Sequence, residues 1–206
     1  MATSPGAVVA RLRRTLVELS HRAYAFGLTP GVSGNMSARL PSGDRVLIKA
    51  TGRSLGDLTE ADTLVVTLDG AVVAAGGEDA GARPSKEMHF HLAIYRRRPD
   101  VGAVIHLHPP YTLVFAADGS LPPYLTGASR AFLGDGLVVV PPAPSGSAEL
   151  VRLVEERFAD PRVRAAILAG HGSLTVGADL HQAFYLTQYL EDAARTAVLA
   201  RQWRGS

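Results

Sequence analysis

Cysteine is absent from this 206-residue sequence. That absence excludes disulfides, thiolate zinc sites and a cysteine nucleophile together, fits a reducing compartment, and leaves nitrogen and oxygen as the donors for any metal ion. An excess of charge is lacking too: 21 lysines and arginines stand against 19 aspartates and glutamates, a formal net charge of +2. Such a balance gives no polyanion-binding surface, so no nucleic acid partner is expected. The clusters Arg11-Leu-Arg-Arg14 and Arg96-Arg-Arg98 read as solvated helix faces or a helix C-terminus. No apolar run approaches the roughly 18 residues of a membrane span. The start, Met1-Ala-Thr-Ser-Pro-Gly-Ala-Val, lacks the charged segment and apolar core of a secretion signal. The expectation is a cytoplasmic protein with no membrane partner. With 47% hydrophobic and 19% charged residues, and neither repeats nor low-complexity segments, residues 1–206 read as a single globular domain.

What the sequence does contain is paired histidine. His106 and His108 end the apolar run Val101-Gly-Ala-Val-Ile-His-Leu-His108. Side chains alternate along a strand, so both imidazoles leave one face and can grip one metal ion. The competing reading is two strand-end histidines bonded to backbone and water. His171, in Gly170-His-Gly172 after the apolar run over 165–169, is a third candidate. Three imidazoles with an open fourth position describe a catalytic metal site better than a closed structural one. His89 and His91 form a second pair, but in a segment, Pro84-Ser-Lys-Glu-Met-His-Phe-His-Leu-Ala-Ile-Tyr-Arg, that reads as helix. At about 100° per residue they point to nearly opposite sides and cannot chelate together, whereas Glu87 and His91, four residues apart, share a face.

The pattern predicts a first helix over 4–26 with Val8, Val9, Leu12, Leu16 and Leu19 as its apolar stripe and Gly27 ending it. A glycine-serine loop over 31–37 leads into a hairpin of strands 37–40 and 45–50. A second hairpin, 63–68 and 71–74, turns at Asp69-Gly70. A loop over 75–83, a helix carrying Glu87, a strand over 101–108 and a short helix over 109–117 follow. The segment 119–144, rich in glycine and proline, holds one strand, 137–140, and otherwise reads as loop of the kind that frames a site. A helix over 147–158, a strand over 165–169, the Gly-His-Gly turn and a final helix over 179–201 complete the chain. Hairpins first and interleaved helices later predict a sheet with much antiparallel pairing and helices on both faces. No Gly-x-Gly-x-x-Gly follows a strand, which excludes a Rossmann dinucleotide site.

Taken in order, Gly34-Asn35-Met-Ser37, Thr51-Gly52, Pro84-Ser85-Lys-Glu87, His106-Leu-His108 and Gly170-His171-Gly172 resemble the motifs of the class II aldolase/adducin family, over nearly the whole chain. The resemblance implies an α/β fold, a three-layer α/β/α sandwich around a central, largely antiparallel sheet. It implies that His106, His108 and His171 bind Zn2+ or another divalent ion such as Mn2+ or Co2+. It implies that Glu87 is the acid/base, and that Gly34, Asn35, Ser37, Thr51, Gly52 and Ser85 form a substrate-phosphate pocket from backbone N–H groups and hydroxyls. Converging donors and small residues suit phosphate on chemical grounds as well. Ordinary turn and cap chemistry is the other reading of Ser37 and Thr51-Gly52. A homotetramer is implied by resemblance alone.

Lys86 departs from the familiar aldolases, which carry a second serine at that place. The Pro-Ser-Lys-Glu form resembles the branch acting on phosphorylated sugar acids, notably 3-oxo-tetronate 4-phosphate decarboxylases, where a cation would meet the phosphate or a substrate carboxylate. A solvated lysine at a helix start is the alternative. Glutamate rather than aspartate at position 87 resembles the C–C-cleaving members rather than the epimerases. The tyrosine that fuculose-phosphate aldolase supplies from a neighbouring subunit has no clear counterpart; Tyr124 is near and stays unassigned. The implied activity is a metal-dependent C–C lyase acting on a phosphorylated keto-sugar or keto-sugar acid through a metal-stabilised enediolate, with decarboxylation ahead of retro-aldol cleavage. A ketose-1-phosphate aldolase and a non-catalytic adducin-like interaction module are the alternatives, and the intact histidine triad speaks against the module.

Overall fold

The computed structural model describes residues 5–77 and 81–205. The expected helix start at Ser4 and part of the expected loop over 75–83 lie outside them. The strands are β1 (Asn35–Arg39), β2 (Arg45–Lys49), β3 (Thr63–Thr67), β4 (Val72–Ala75), β5 (Ala103–Leu107), β6 (Leu137–Val140), β7 (Ala165–Leu168) and β8 (Gly172–Gly177). They form one sheet in the order β4-β3-β2-β1-β5-β8-β7-β6. Every neighbouring pair is antiparallel except β6 with β7. The helices are α1 (Pro5–Ala25), α2 (Met88–Arg97), α3 (Pro110–Asp118), α4 (Gly127–Phe132), α5 (Ala148–Phe158) and α6 (Leu180–Gly205).

Alternation along the strands sorts the helices into two layers. Val46 and Ile48 of β2 and Val104 of β5 face a core closed by Phe90 and Ile94 of α2 and Val154 and Phe158 of α5. Leu47, Ile105 and Leu107 face the other way, against Leu16 and Leu19 of α1 and Phe184 of α6. A further cluster around Ala116, Ile167 and Leu190 continues that second layer beside α3. The result is the expected three-layer α/β/α arrangement. His106, two residues beyond Val104, faces the α2 layer, with the Phe90 ring edge-on at 5.5 Å between centroids. Among the described residues, no helix is long and apolar enough to cross a membrane.

Several elements differ from the sequence reading, each for a local reason. β1 begins at Asn35 rather than Ser37, which sets Asn35 opposite His106 in the ladder. α2 begins at Met88 rather than near Pro84, because Pro84 bridges to Ala50 and the Ser85 hydroxyl accepts the Glu87 N–H. Glu87 is therefore the N-cap of α2, and it shares a face with His91 as the spacing predicts, both side chains reaching the Asn35 amide. The strand β8, too short and glycine-bounded to announce itself, fills the sheet between β5 and β7. α4 interrupts the expected loop, with the Thr126 hydroxyl accepting from Ser129 N at 3.1 Å. Arg98, expected on a solvated helix end, is buried; it pairs with Asp100 at 2.7 Å and donates to the carbonyls of Phe158, Asp160, Pro161 and Val163.

Candidate active site

Three imidazoles meet where β5 ends and β8 begins. His106 is the penultimate residue of β5, His108 follows that strand, and His171 sits in the turn between β7 and β8. The ring centroids of His106 lie 4.7 Å from those of both His108 and His171. One nitrogen of each ring lies within 4.8 Å of the others. Gly172 permits this crowding: a Cβ there would stand 2.6 Å from the Leu107 carbonyl oxygen, 2.8 Å from His108 Cδ2 and 3.2 Å from His106 Cε1. The second pair behaves as its helical spacing predicts, with His89 exposed and His91 buried.

His106 Nδ1 donates to the Ser173 carbonyl at 2.8 Å, which fixes the tautomer and turns the Nε2 lone pair inward. His106 Nε2, His108 Nδ1 and His171 Nδ1 are, among the described residues, the buried side-chain nitrogen and oxygen atoms that lack a hydrogen-bond partner. Burial, together with the neighbouring His106 and His171, pushes the His108 pKa down to about 3. Unpartnered buried polar atoms are costly, and here all three belong to one cluster. A divalent ion of the zinc kind fits this set of imidazoles beside a carboxylate.

Glu87 supplies the carboxylate. Its Oε1 lies 2.9 Å from His171 Nε2, and its Oε2 lies 3.3 Å from His106 Nε2, out of hydrogen-bond alignment. Ser145 donates to Oε1 at 2.6 Å and Asn35 Nδ2 donates to Oε2 at 3.0 Å. Burial pushes the Glu87 pKa up, but the imidazoles of His106 and His171 and the Ser145 hydroxyl outweigh it and hold the group well below the ordinary carboxylate range. Glu87 thus rests as a carboxylate.

A cleft of about 210 Å³ opens beside Glu87, His108 and His171. Gly34, Asn35, Thr51, Gly52, Ser85 and Lys86 line it, as the sequence reading grouped them. Gly34 has φ +78, and a Cβ there would stand 2.8 Å from Leu107 Cδ2 and 3.1 Å from the His106 carbonyl oxygen, so glycine lets the loop lie against β5. The Thr51 N–H is taken by the Arg83 carbonyl at 2.8 Å, which leaves the Thr51 hydroxyl, not its amide, for a ligand. Ser85 accepts from Glu87 N at 3.2 Å and keeps its own O–H to donate. Ser37 does not join this group. It follows Asn35 on the same face of β1 but one step deeper, where it is fully buried under α2 and bonded to His91 and Tyr95. Tyr124 donates to the Gly134 carbonyl at 2.8 Å and does not line the cleft.

Four cleft residues are missing from the sequence reading of the site: Val32 and Ser33, from the glycine-serine loop, and Lys49 and Ser145. Lys49 closes the apolar strand Arg45-Val-Leu-Ile-Lys49 just before Thr51-Gly52, a position that is its only sequence signal. It is buried, its Nζ donates to the Val32 carbonyl at 3.3 Å, and burial pulls its pKa down to about 8 against the opposing pull of Asp62. Ser145, in Pro144-Ser-Gly146, looks like any turn serine in sequence. Gly146, with φ +76, packs on the Lys86 chain and brings Ser145 and Lys86 to one edge of the cleft. Two larger clefts, of about 690 and 750 Å³, are lined mainly by apolar side chains and hold none of these groups.

Residues 14–198 match the family model described as the class II aldolase and adducin N-terminal domain. The 3-oxo-tetronate 4-phosphate decarboxylase of Haemophilus influenzae is 32% identical over 189 residues, 89% of this chain and 85% of that protein. An L-fuculose phosphate aldolase of Methanococcus maripaludis is 31% identical over 180 residues, 87% and 92% of the two chains. A methylthioribulose-1-phosphate dehydratase of Sorangium cellulosum is 34% identical over 176 residues, 80% and 81% of the two. Among solved structures, YgbL of Klebsiella pneumoniae superposes with a TM-score of 0.83 at 31% identity, covering 93% of this chain and 90% of that one. The L-fuculose-1-phosphate aldolase of Thermus thermophilus gives 0.82 at 28% identity, covering 96% and 97%. Relatives of different chemistry stand at near-equal identity, so the reaction has to be argued from the site.

Proposed function

This chain belongs to the class II aldolase/adducin family, and from that premise we propose that it is a divalent-metal-dependent lyase that decarboxylates a phosphorylated keto-sugar acid of the 3-oxo-tetronate 4-phosphate type. The observation that carries the proposal is the pair of ammonium groups, Lys49 and Lys86, lining one cleft beside Glu87. A substrate with phosphate at one end and carboxylate at the other offers two anionic groups to two cations, whereas a ketose phosphate offers one. His106, His108 and His171 would hold the ion, zinc or otherwise manganese or cobalt, which when bound supplies Lewis acidity toward a substrate carbonyl.

The chain's own residues carry the remaining steps. Lys49 and the hydroxyls of Thr51 and Ser85 grip the phosphate, and Lys86 meets the carboxylate. The bond between the carboxyl carbon and its neighbour breaks, its electron pair passes toward the ketone, and carbon dioxide leaves. Glu87 then delivers one proton to the carbon left behind, giving dihydroxyacetone phosphate. Because Glu87 rests as a carboxylate, it takes that proton from solvent before giving it up. We attach a cytoplasmic homotetramer to this reading on the family resemblance.

The same resting carboxylate favours a second reading, a ketose-1-phosphate aldolase, since it is already the form needed to take a hydroxyl proton as the C–C bond breaks. ¹³C NMR of the metal-loaded protein with 3-oxo-tetronate 4-phosphate separates the two. Bicarbonate and dihydroxyacetone phosphate are the expected products. Unchanged keto acid alongside cleavage of L-fuculose 1-phosphate would establish the aldolase instead.

A further inference from the structure

Two of the three imidazoles stand outside the strands. His106 lies within β5, whereas His108 follows that strand and His171 precedes β8. The element that reaches both is α3. At its start, His108 runs through Pro109, the N-cap, into Pro110, the first residue of the helix. Two consecutive proline rings leave little backbone freedom between His108 and Tyr111. At the other end, the Ala116 carbonyl accepts the N–H of Gly170, the residue before His171, at 2.7 Å. A Cβ on Gly119, the C-cap, would stand 3.4 Å from the Ala169 Cβ, so this end also packs where β7 runs out.

α3 is in turn held from α6. The first amides of a helix have no partner within it, and Pro109 brings them no side-chain acceptor. Glu191 of α6 supplies one from 80 residues away: its Oε1 accepts from Tyr111 N at 2.9 Å. Its Oε2 accepts from Thr112 N and from the Thr112 hydroxyl, each at 2.8 Å. Thr112 is fully buried, so without the carboxylate its amide and hydroxyl would have no water to turn to. One turn further along α6, the Arg195 guanidinium lies over the Tyr111 ring at 5.8 Å, a second tie to the same residue.

We infer that α3 is a strut that fixes His108 and His171 relative to each other, and that Glu191 is a positioning residue which pins this strut to α6. The inference rests on reading the triad as a metal site. Glu191 does not line the cleft, and its three hydrogen bonds all go to α3, so it acts through the helix. His106, by contrast, is registered by β1 on one side and β8 on the other. Removing Glu191 therefore loosens two ligands and leaves the third in place.

Cobalt-loaded protein tests this, because the visible spectrum of Co2+ follows the geometry of its ligands. Glu191→Leu is expected to weaken cobalt and zinc binding by about 10–100-fold, the range for lost orienting partners, and to shift the cobalt spectrum. Glu191→Gln, whose oxygen is able to take both Thr112 donors, is expected to recover part of the affinity. Val154→Ala, a truncation in α5 on the opposite face of the sheet, is the control. It is expected to lower Tm with affinity and spectrum unchanged. Wild-type affinity and spectrum in Glu191→Leu, or an equal loss in Val154→Ala, would reject the positioning role.

Hydrogen exchange of the metal-free protein keeps the strut apart from the metal. In Glu191→Leu the Gly170 N–H is expected to exchange about tenfold faster, as for about one hydrogen bond lost, and to gain more than the His106 N–H in β5. A wild type that binds no metal, with Gly170 protection lost in the variant, rejects the metal reading and keeps the strut. Bound metal with Gly170 equally protected in both proteins rejects the strut. Should Glu191→Leu fail to fold, Glu191→Gln carries the same comparison, and wild-type affinity with wild-type Gly170 exchange there overturns the inference.

Discussion

Asn35 and His106 stand opposite each other across the β1–β5 ladder. One strand pairing therefore sets both the amide that orients Glu87 and an imidazole of the triad, on the face that α2 covers. Side chains alternate, so a slip of one residue would carry both to the α1–α6 side. Asn35 and His106 are thus registered by the sheet, while Glu87 caps α2 and His108 and His171 stand just beyond β5 and just before β8.

The closest packing in the site is at Gly172, where a Cβ would stand 2.8 Å from His108 Cδ2 and 2.6 Å from the Leu107 carbonyl oxygen. Gly172→Ala is expected to destabilise the fold by about 1–3 kcal/mol, as overpacking does, and to weaken metal binding by about 10–100-fold. Thermal unfolding and competition with a metal-sensitive dye measure the two effects. Unaltered metal affinity would show that β8 does not need to pass so close to the rings.

Lys49 gives a prediction with a definite sign. Its folded pKa of about 8 lies below the unfolded 10.5. Between those values the unfolded chain holds a proton that the folded chain has released, so stability rises with pH through that window, and below it the full penalty of the buried charge is present. Lys49→Met is expected to raise Tm at pH 7 and to flatten the rise between pH 8 and 10.5. Inorganic phosphate is expected to raise the wild-type Tm at pH 7 more than that of the variant. A lower Tm for the variant at pH 7 would contradict this account of Lys49.

Lys86→Ser is expected to leave metal content and stability unchanged, because Lys86 is exposed at the cleft edge. Its KM for the keto acid is expected to rise about 10–100-fold, the range for losing one charged hydrogen bond of about 1.5–3 kcal/mol. An unaltered KM would remove the carboxylate from that lysine.

Glu87→Gln is expected to keep the bound metal and to lose about 10²–10⁴-fold in turnover, the usual share of a general acid/base. Metal analysis alongside kinetics distinguishes this from damage to the triad, which would reduce both together.

Much of the sheet and the pairing of His106 with His108 were legible in sequence, because both depend on the period of two along a strand, whereas His171, far downstream, joined them as a ligand only through the family resemblance. Depth was not legible. The pattern puts Asn35 and Ser37 on one face of β1; both are buried, and only packing under α2 decides that Asn35 lines the cleft and Ser37 does not. Ser145 and Lys49 escaped for a related reason, since each earns its place through contacts from distant segments: Ser145 lies 58 residues from Glu87 in sequence. β8 escaped because a six-residue strand between glycines carries too little alternation to stand out.

The claim on which the rest depends is that His106, His108 and His171 share one divalent ion. Elemental analysis of the purified protein, after dialysis against zinc, manganese or cobalt, tests it most directly, with His108→Ala measured beside it. The account predicts one ion per chain in the wild type and none in the variant. A wild type that binds none of the three metals, or a variant that keeps a full ion, would contradict it.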